Sequence, residues 1–207
     1  FALLEAGSVR SKNTKAILIK NLLDTFVSAM AWYAIGWSLA YGCDADDGRA
    51  HAVDRYVGHG EWFLVHLAPE DRARWFFGWA FSSTSTTIVS GSLAERCEHR
   101  AYVAFSVVMS GLIYPCVVHW AWSNHAALAA PEGALGVGAP FVDFAGSGVV
   151  HMTGGVAALA GAVVVGPRTG RFDGGTAKPL PQQSVIFQTL GTLILWMGWY
   201  GFNGVST

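Results

Sequence analysis

Histidine 151 lies in a run of small and apolar residues, Phe144 to Gly166, that contains no charged side chain. An imidazole inside an apolar membrane helix costs free energy unless a partner or a wet path receives it, so it is a functional candidate by default. The competing reading is a structural histidine bonded to a neighbouring helix. Neutral imidazole offers one donor and one acceptor, enough to bond a small polar solute or relay a proton. Asp143 opens the same run. An aspartate there suits N-cap duty, accepting otherwise unpaired backbone N–H groups and complementing the helix dipole. Capping is the preferred reading over direct ligand contact. The aromatics form a second group: Phe77 and Phe81 stand four apart on one helical face, Trp122 closes a later span, and Phe202 lies late in the last. Such rings attract a small cation at roughly 0.5–2 kcal/mol per contact. An interfacial aromatic belt is the plainer explanation for Trp122 alone.

Five long segments must position these residues: Ala16–Tyr41, Trp75–Ala94, Ala101–Trp122, Phe144–Gly166 and the charge-free stretch from Pro179 onward. A bilayer span needs roughly 20 mostly apolar residues. Of the 207 residues, 52% are hydrophobic and 13% charged, against about 25% charged in an ordinary soluble domain. The expected architecture is therefore all-α, a polytopic transmembrane helical bundle. Phe1–Gly7 resembles the tail of a further span, and the chain reads as a piece of a longer protein. Pro115 interrupts the Ala101–Trp122 segment. The small residues of Phe144–Gly166 predict a helix buried among neighbours. Asp24 and Lys20, one turn apart, are placed to pair at i,i+4.

Lys and Arg set the expected orientation. Arg10, Lys12, Lys15, Arg96, Arg100, Arg168, Arg171 and Lys178 fall in one set of connections, and Arg49, Arg55, Arg72 and Arg74 in the other. The first set is expected in the cytoplasm, leaving the Asp44–Asp54 acidic group outside. A net charge of -1 gives no reason to expect a nucleic-acid partner. Cys43, Cys97 and Cys116 lack metal-like spacing and read as unpaired thiols. Asp44-Ala-Asp-Asp-Gly48 resembles the start of a calcium loop but has no glutamate at the twelfth position. His59 with His66, or His119 with His125, lacks the further ligands a metal centre needs. No cofactor or metal is expected. A membrane enzyme is disfavoured, because Asp143 and His151 are more than two turns apart and no nucleophile accompanies them.

The stretch from Asp143 through His151-Met-Thr-Gly-Gly to Arg168 resembles the signature of the ammonium transporter (Amt/Mep/Rh) family. Phe1-Ala-Leu-Leu-Glu-Ala-Gly-Ser-Val-Arg-Ser-Lys-Asn-Thr14, Ile88-Val-Ser-Gly-Ser-Leu-Ala-Glu-Arg96 and Gly198-Trp-Tyr-Gly-Phe-Asn203 agree with it. The first of these is more similar to the Amt branch than to Rh. The resemblance implies eleven helices in two inverted halves around a hydrophobic pore, assembled as plasma-membrane homotrimers. Residues 1–207 would form one membrane domain, from the end of the first helix through the sixth. It further implies ammonium recruitment by Trp122, Phe81 and Ser206 with Asp143 shaping the site, and a gate of Phe81 and Phe202. Phe77 would line the path and His151 would be the first of two pore histidines, the second lying beyond Thr207. Gly204-Val205 before Ser206 departs from the expected Ala-Gly and sets a bulkier neighbour beside the hydroxyl. A receptor that binds ammonium without bulk flux is the alternative function.

Overall fold

Nearly every element of the chain is a helix, as the apolar runs require. The computed structural model describes residues 1–42, 54, 56–65, 67–129 and 138–206. Among the described residues eight α-helices run in chain order: α1 Ala2–Ser8, α2 Thr14–Ala31, α3 Trp37–Tyr41, α4 Asp71–Leu93, α5 His99–Val108, α6 Tyr114–Trp122, α7 Thr153–Val165 and α8 Val185–Gly204. A two-stranded antiparallel ribbon, β1 Phe172–Asp173 and β2 Thr176–Ala177, sits in the connection between α7 and α8. Cys97 and Cys116 are free thiols. Cys43, the Asp44–Gly48 acidic turn, His66 and Thr207 lie outside the described residues.

Among the described residues three helices are long and apolar enough to cross a membrane: His99–Trp122, Ser147–Val165 and Val185–Gly204. The other two expected spans, Ala16–Tyr41 and Trp75–Ala94, fall on the continuous helices Thr14–Tyr41 and Asp71–Leu93, of ample length but more polar. Some of their hydroxyls return to the helix's own carbonyls, while the Ser38, Ser82 and Ser85 hydroxyls are buried without a hydrogen-bond partner among the described residues. Thr84 and Thr86 hydroxyls donate to the carbonyls of Ala80 and Ser82, one turn back. Three rods contain π-helical turns, at Trp32–Gly36, Met109–Ile113 and Ser147–Met152. Pro115 has no N–H to return to the carbonyl four residues earlier, which accounts for the wide turn ahead of it. The predicted interruption is thus a loosened turn within one rod.

One expectation is met along one face and another is corrected. Within residues 1–207 the Phe144–Gly166 segment packs along one stripe. Gly154 lies so close to α4 that a Cβ there would stand 2.8 Å from the Ser85 carbonyl oxygen. The opposite stripe is open, with Val163 75% and Val164 85% exposed. Lys20 and Asp24 are both buried, yet each is held by other partners. The Lys20 Nζ donates to the Ser90 carbonyl at 3.3 Å and lies 4.2 Å from the Tyr102 ring centroid. Asp24 accepts from the Ser106 hydroxyl at 2.8 Å. Partners on α4 and α5 hold these groups, although Asp24 Oδ2 is buried without a hydrogen-bond partner among the described residues, so i,i+4 spacing alone did not decide the pairing.

The core that carries the site joins Trp32, Trp37, Tyr41, Phe81, Tyr114, Val149 and Val150. At the other end, Glu95 ties three connections together. Its carboxylate accepts from Arg10 Nε at 2.9 Å, from the Asn13 amide, and pairs with Arg168 at 3.1 Å. Burial alone would raise the Glu95 pKa, but the bonds from Asn13 and Arg10 outweigh it and hold the carboxyl below its ordinary value.

Candidate functional site

The aspartate is where the site begins. Asp143 precedes the helical turn that starts at Ser147, and its carboxylate reaches over the helix start. Oδ1 accepts from the backbone N–H groups of Gly146 (2.8 Å) and Ser147 (3.0 Å), Oδ2 from those of Gly148 (2.9 Å) and Val149 (2.7 Å). Four otherwise unpaired donors are thereby satisfied by one side chain, more than an N-cap ordinarily serves. The turn depends on Gly146, whose φ of 88° lies in the left-handed region and whose Cβ would meet Val150 Cγ2 at 2.5 Å. The Asp143 carbonyl acts separately from the side chain. It accepts the Trp122 indole N–H at 2.7 Å, fixing that ring at the end of α6.

Trp122 then faces the ring cluster. Its centroid lies 5.9 Å from that of Phe81, which is 3% exposed. Phe81 makes edge contacts with Phe77 at 4.3 Å and Phe202 at 4.1 Å. Beyond Phe202 comes His151, at 5.7 Å centroid to centroid. The structure therefore brings the predicted residues into one sequence, Trp122, Phe81, Phe202, His151, contributed by α6, α4, α8 and the π turn before α7. Trp122, Phe77, Phe81, Asp143, Val205 and Ser206 line a cavity of about 720 Å³. The Ser206 hydroxyl donates to the Phe202 carbonyl at 2.5 Å, which leaves its oxygen lone pairs as acceptors.

His151 is half-buried, and Nδ1 lies 3.1 Å from the Gly146 carbonyl oxygen. A carbonyl only accepts, so the neutral ring carries its proton on Nδ1 and presents Nε2 as the acceptor. The site can thus offer π faces and a hydroxyl oxygen to a cation, then an unprotonated nitrogen beyond a two-ring barrier.

The sequence did not single out Trp199, which stacks on His151 at 6.0 Å, nor Arg74, Tyr41, Trp32 and Tyr114, which line the same cavity. For Arg74 a signal existed: positions 74, 77 and 81 share one helical face. Trp199 had a weaker one, three residues before Phe202. The His119 metal pairing finds no support. That ring is fully buried, with Nδ1 2.9 Å from the Ala40 carbonyl oxygen and Nε2 2.6 Å from that of Asp54.

Comparison with known proteins gives the same direction. The model of the Ammonium Transporter Family matches residues 1–207. The chain is 42% identical over 205 residues to ammonium transporter 3 of Dictyostelium discoideum, covering 98% of this chain and 44% of that relative. Ammonium transporter Amt1 of Haloferax mediterranei is 44% identical over 211 residues, with 98% and 39% covered. A solved structure described as a sensor Amt protein superposes with a TM-score of 0.82 at 33% identity, over 100% of this chain and 50% of its own. The chain spans less than half the length of these curated relatives.

Proposed function

Because this chain belongs to the ammonium transporter family, we propose that the complete protein moves ammonium across the plasma membrane as a homotrimer. Residues 1–207 supply one membrane domain of each subunit, from the end of the first helix through the sixth. In this reading the 720 Å³ cavity is the outer vestibule. Trp122 and Phe81 attract the cation through their π faces, and the Ser206 oxygen accepts one of its N–H bonds. Potassium has no N–H to donate, so the hydroxyl separates the two ions. Asp143 holds the Trp122 platform through its helix cap and its carbonyl. Phe81 and Phe202 close the floor of the vestibule, with Phe77 lining the approach.

Carrying a bare cation past those rings into an apolar path is costly. Giving the proton up to water at the gate, with ammonia and a proton then crossing separately, removes that cost, and neutral ammonia meets His151, whose Nε2 accepts an N–H. The observation that supports this best is the single file of Trp122, Phe81, Phe202 and His151, each ring within 6 Å of the next. The test is His151→Ala in the complete protein, expressed in a host lacking its own ammonium transporters. Loss of ammonium-dependent growth, with the protein still in the membrane, is the expected result. Normal growth would take His151 out of the mechanism. The neighbour described as a sensor motivates the second reading, an ammonium receptor with little flux. Labelled methylammonium uptake and ammonium-evoked currents by the complete protein separate the two.

A further inference from the structure

The vestibule already contains a cation belonging to the protein. Arg74 stands in the first turn of α4, three residues before Phe77 and seven before Phe81, on the stripe that carries both rings. Seven residues of helix rise separate its Cα from that of Phe81 by roughly 10 Å along the axis, which sets the scale of the charge's distance from the rings. Its guanidinium carbon lies 4.4 Å from the Tyr41 ring centroid, and Tyr41 packs on Trp37 at 4.8 Å. Arg74 and Tyr41 line the same cavity as Trp122, Phe81 and Ser206. The carboxylate in that cavity, Asp143, has both oxygens committed to backbone N–H groups. A guanidinium is charged at every working pH and stacks on an aromatic face better than an ammonium does. Seated on Tyr41, this charge is held in a fixed place.

We propose that Arg74 sets the cation affinity of the vestibule, its fixed positive charge opposing occupancy of the Trp122–Phe81 platform. The proposal rests on the recruitment reading above and adds a residue to it. The repulsion acts on any monovalent cation alike, so it limits block by abundant alkali ions as well as binding of substrate. Discrimination between cations stays with the Ser206 oxygen. Neutral ammonia is unaffected. A unit charge roughly 10 Å away changes cation occupancy about twofold in a water-like dielectric and about fourfold when the effective dielectric is halved.

The experiment compares wild-type complete protein with Arg74→Gln, Arg74→Lys and Trp122→Leu, using labelled methylammonium uptake in transporter-deficient cells and normalising to protein at the membrane. Ionic strength is stepped from about 0.01 to 0.15 M, which shortens the Debye length from about 30 to 8 Å. At low salt Arg74→Gln should lower KM two- to fourfold, with kcat moving far less, and potassium should inhibit it more strongly. Salt should lower KM in the wild type and in Arg74→Lys, and leave Arg74→Gln nearly flat. A wild-type KM and salt response in Arg74→Gln would overturn the inference. So would an Arg74→Lys that behaves as Arg74→Gln, since packing and not charge would then be responsible. If Trp122→Leu raises KM while Arg74→Gln does not lower it, the recruitment reading stands and only the Arg74 inference falls. If Trp122→Leu leaves KM unchanged, recruitment at the rings falls, and the Arg74 inference falls with it.

Discussion

Removing the Asp143 carboxylate separates two roles that any aspartate beside a cation site invites. If the side chain works by holding the helix start, Asp143→Ala is first of all a folding lesion. The four N–H groups it serves are not equivalent. Ser147 is exposed and Gly148 partly so, and water can replace the lost acceptor there. Gly146 and Val149 are buried. Two buried donors left without partners cost about 1–3 kcal/mol each, and losing the negative charge at the helix start adds about 0.3–1 kcal/mol. The expected loss is thus about 2–7 kcal/mol, against about 0.5–2 for an ordinary cap. Asp143→Asn keeps one carbonyl oxygen and should fall between alanine and wild type. Thermal unfolding of the purified complete protein, followed by tryptophan fluorescence, measures this directly, with methylammonium uptake in parallel. Stability and uptake should decline together across the series. An Asp143→Ala protein that melts at the wild-type temperature yet carries no substrate would refute the capping argument and put the carboxylate on the cation itself.

Three further outcomes follow from other contacts. Trp122→Leu loses both the indole bond to the Asp143 carbonyl and a π face worth about 0.5–2 kcal/mol, so uptake assays should show KM rising about 2- to 30-fold with kcat less affected. Gly146→Ala forces a side chain into φ 88° and against Val150; a loss of about 1–3 kcal/mol, visible as a lower melting temperature, is expected. Glu95 has a depressed pKa in the fold, so its contribution to stability is present above the ordinary carboxyl value of 4.5 and fades as pH falls through the lower folded value. Glu95→Gln should therefore melt below wild type at neutral pH, and the two melting curves should converge on acidification below about 4.5; parallel curves would remove Glu95 from the acid response.

The helices could be read from the sequence because a bilayer allows few alternatives. A long apolar run without charges has little choice but to satisfy its backbone internally. What the runs could not tell was which face packs. The α7 stripe of small residues meets α4 at Gly154, while Val163 and Val164 point away, and composition is blind to that difference. Site residues were legible where a motif placed them and illegible where only the crossing of helices did. Phe77 and Phe81 declare themselves by i,i+4 spacing. Trp199 meets His151 only because α8 lies beside the Ser147–Met152 turn. Arg74 was read as a loop charge that fixes orientation, because its relation to Phe77 and Phe81 depends on α4 starting as early as Asp71. Lys20 and Asp24 show the converse: spacing offered a pair, and hydroxyl and carbonyl partners on other helices prevailed.

The short loop Asp143–Gly146 links these observations into one device. The Gly146 N–H is held by the aspartate, while the Gly146 carbonyl accepts the backbone N–H groups of Val150 (3.0 Å) and His151 (2.9 Å) and the His151 ring at Nδ1. The second of those backbone bonds skips five residues and defines the π turn, the kind of local widening often found where a helix serves a site. One carboxylate therefore fixes a residue whose two backbone groups do different work: its N–H closes the cap, and its carbonyl selects the histidine tautomer that leaves Nε2 as the acceptor. The carbonyl three residues earlier, on Asp143 itself, holds the Trp122 ring. The Trp122 ring and the His151 ring are thus set by the same four residues, and a change at Asp143 should disturb both even though His151 lies eight positions away.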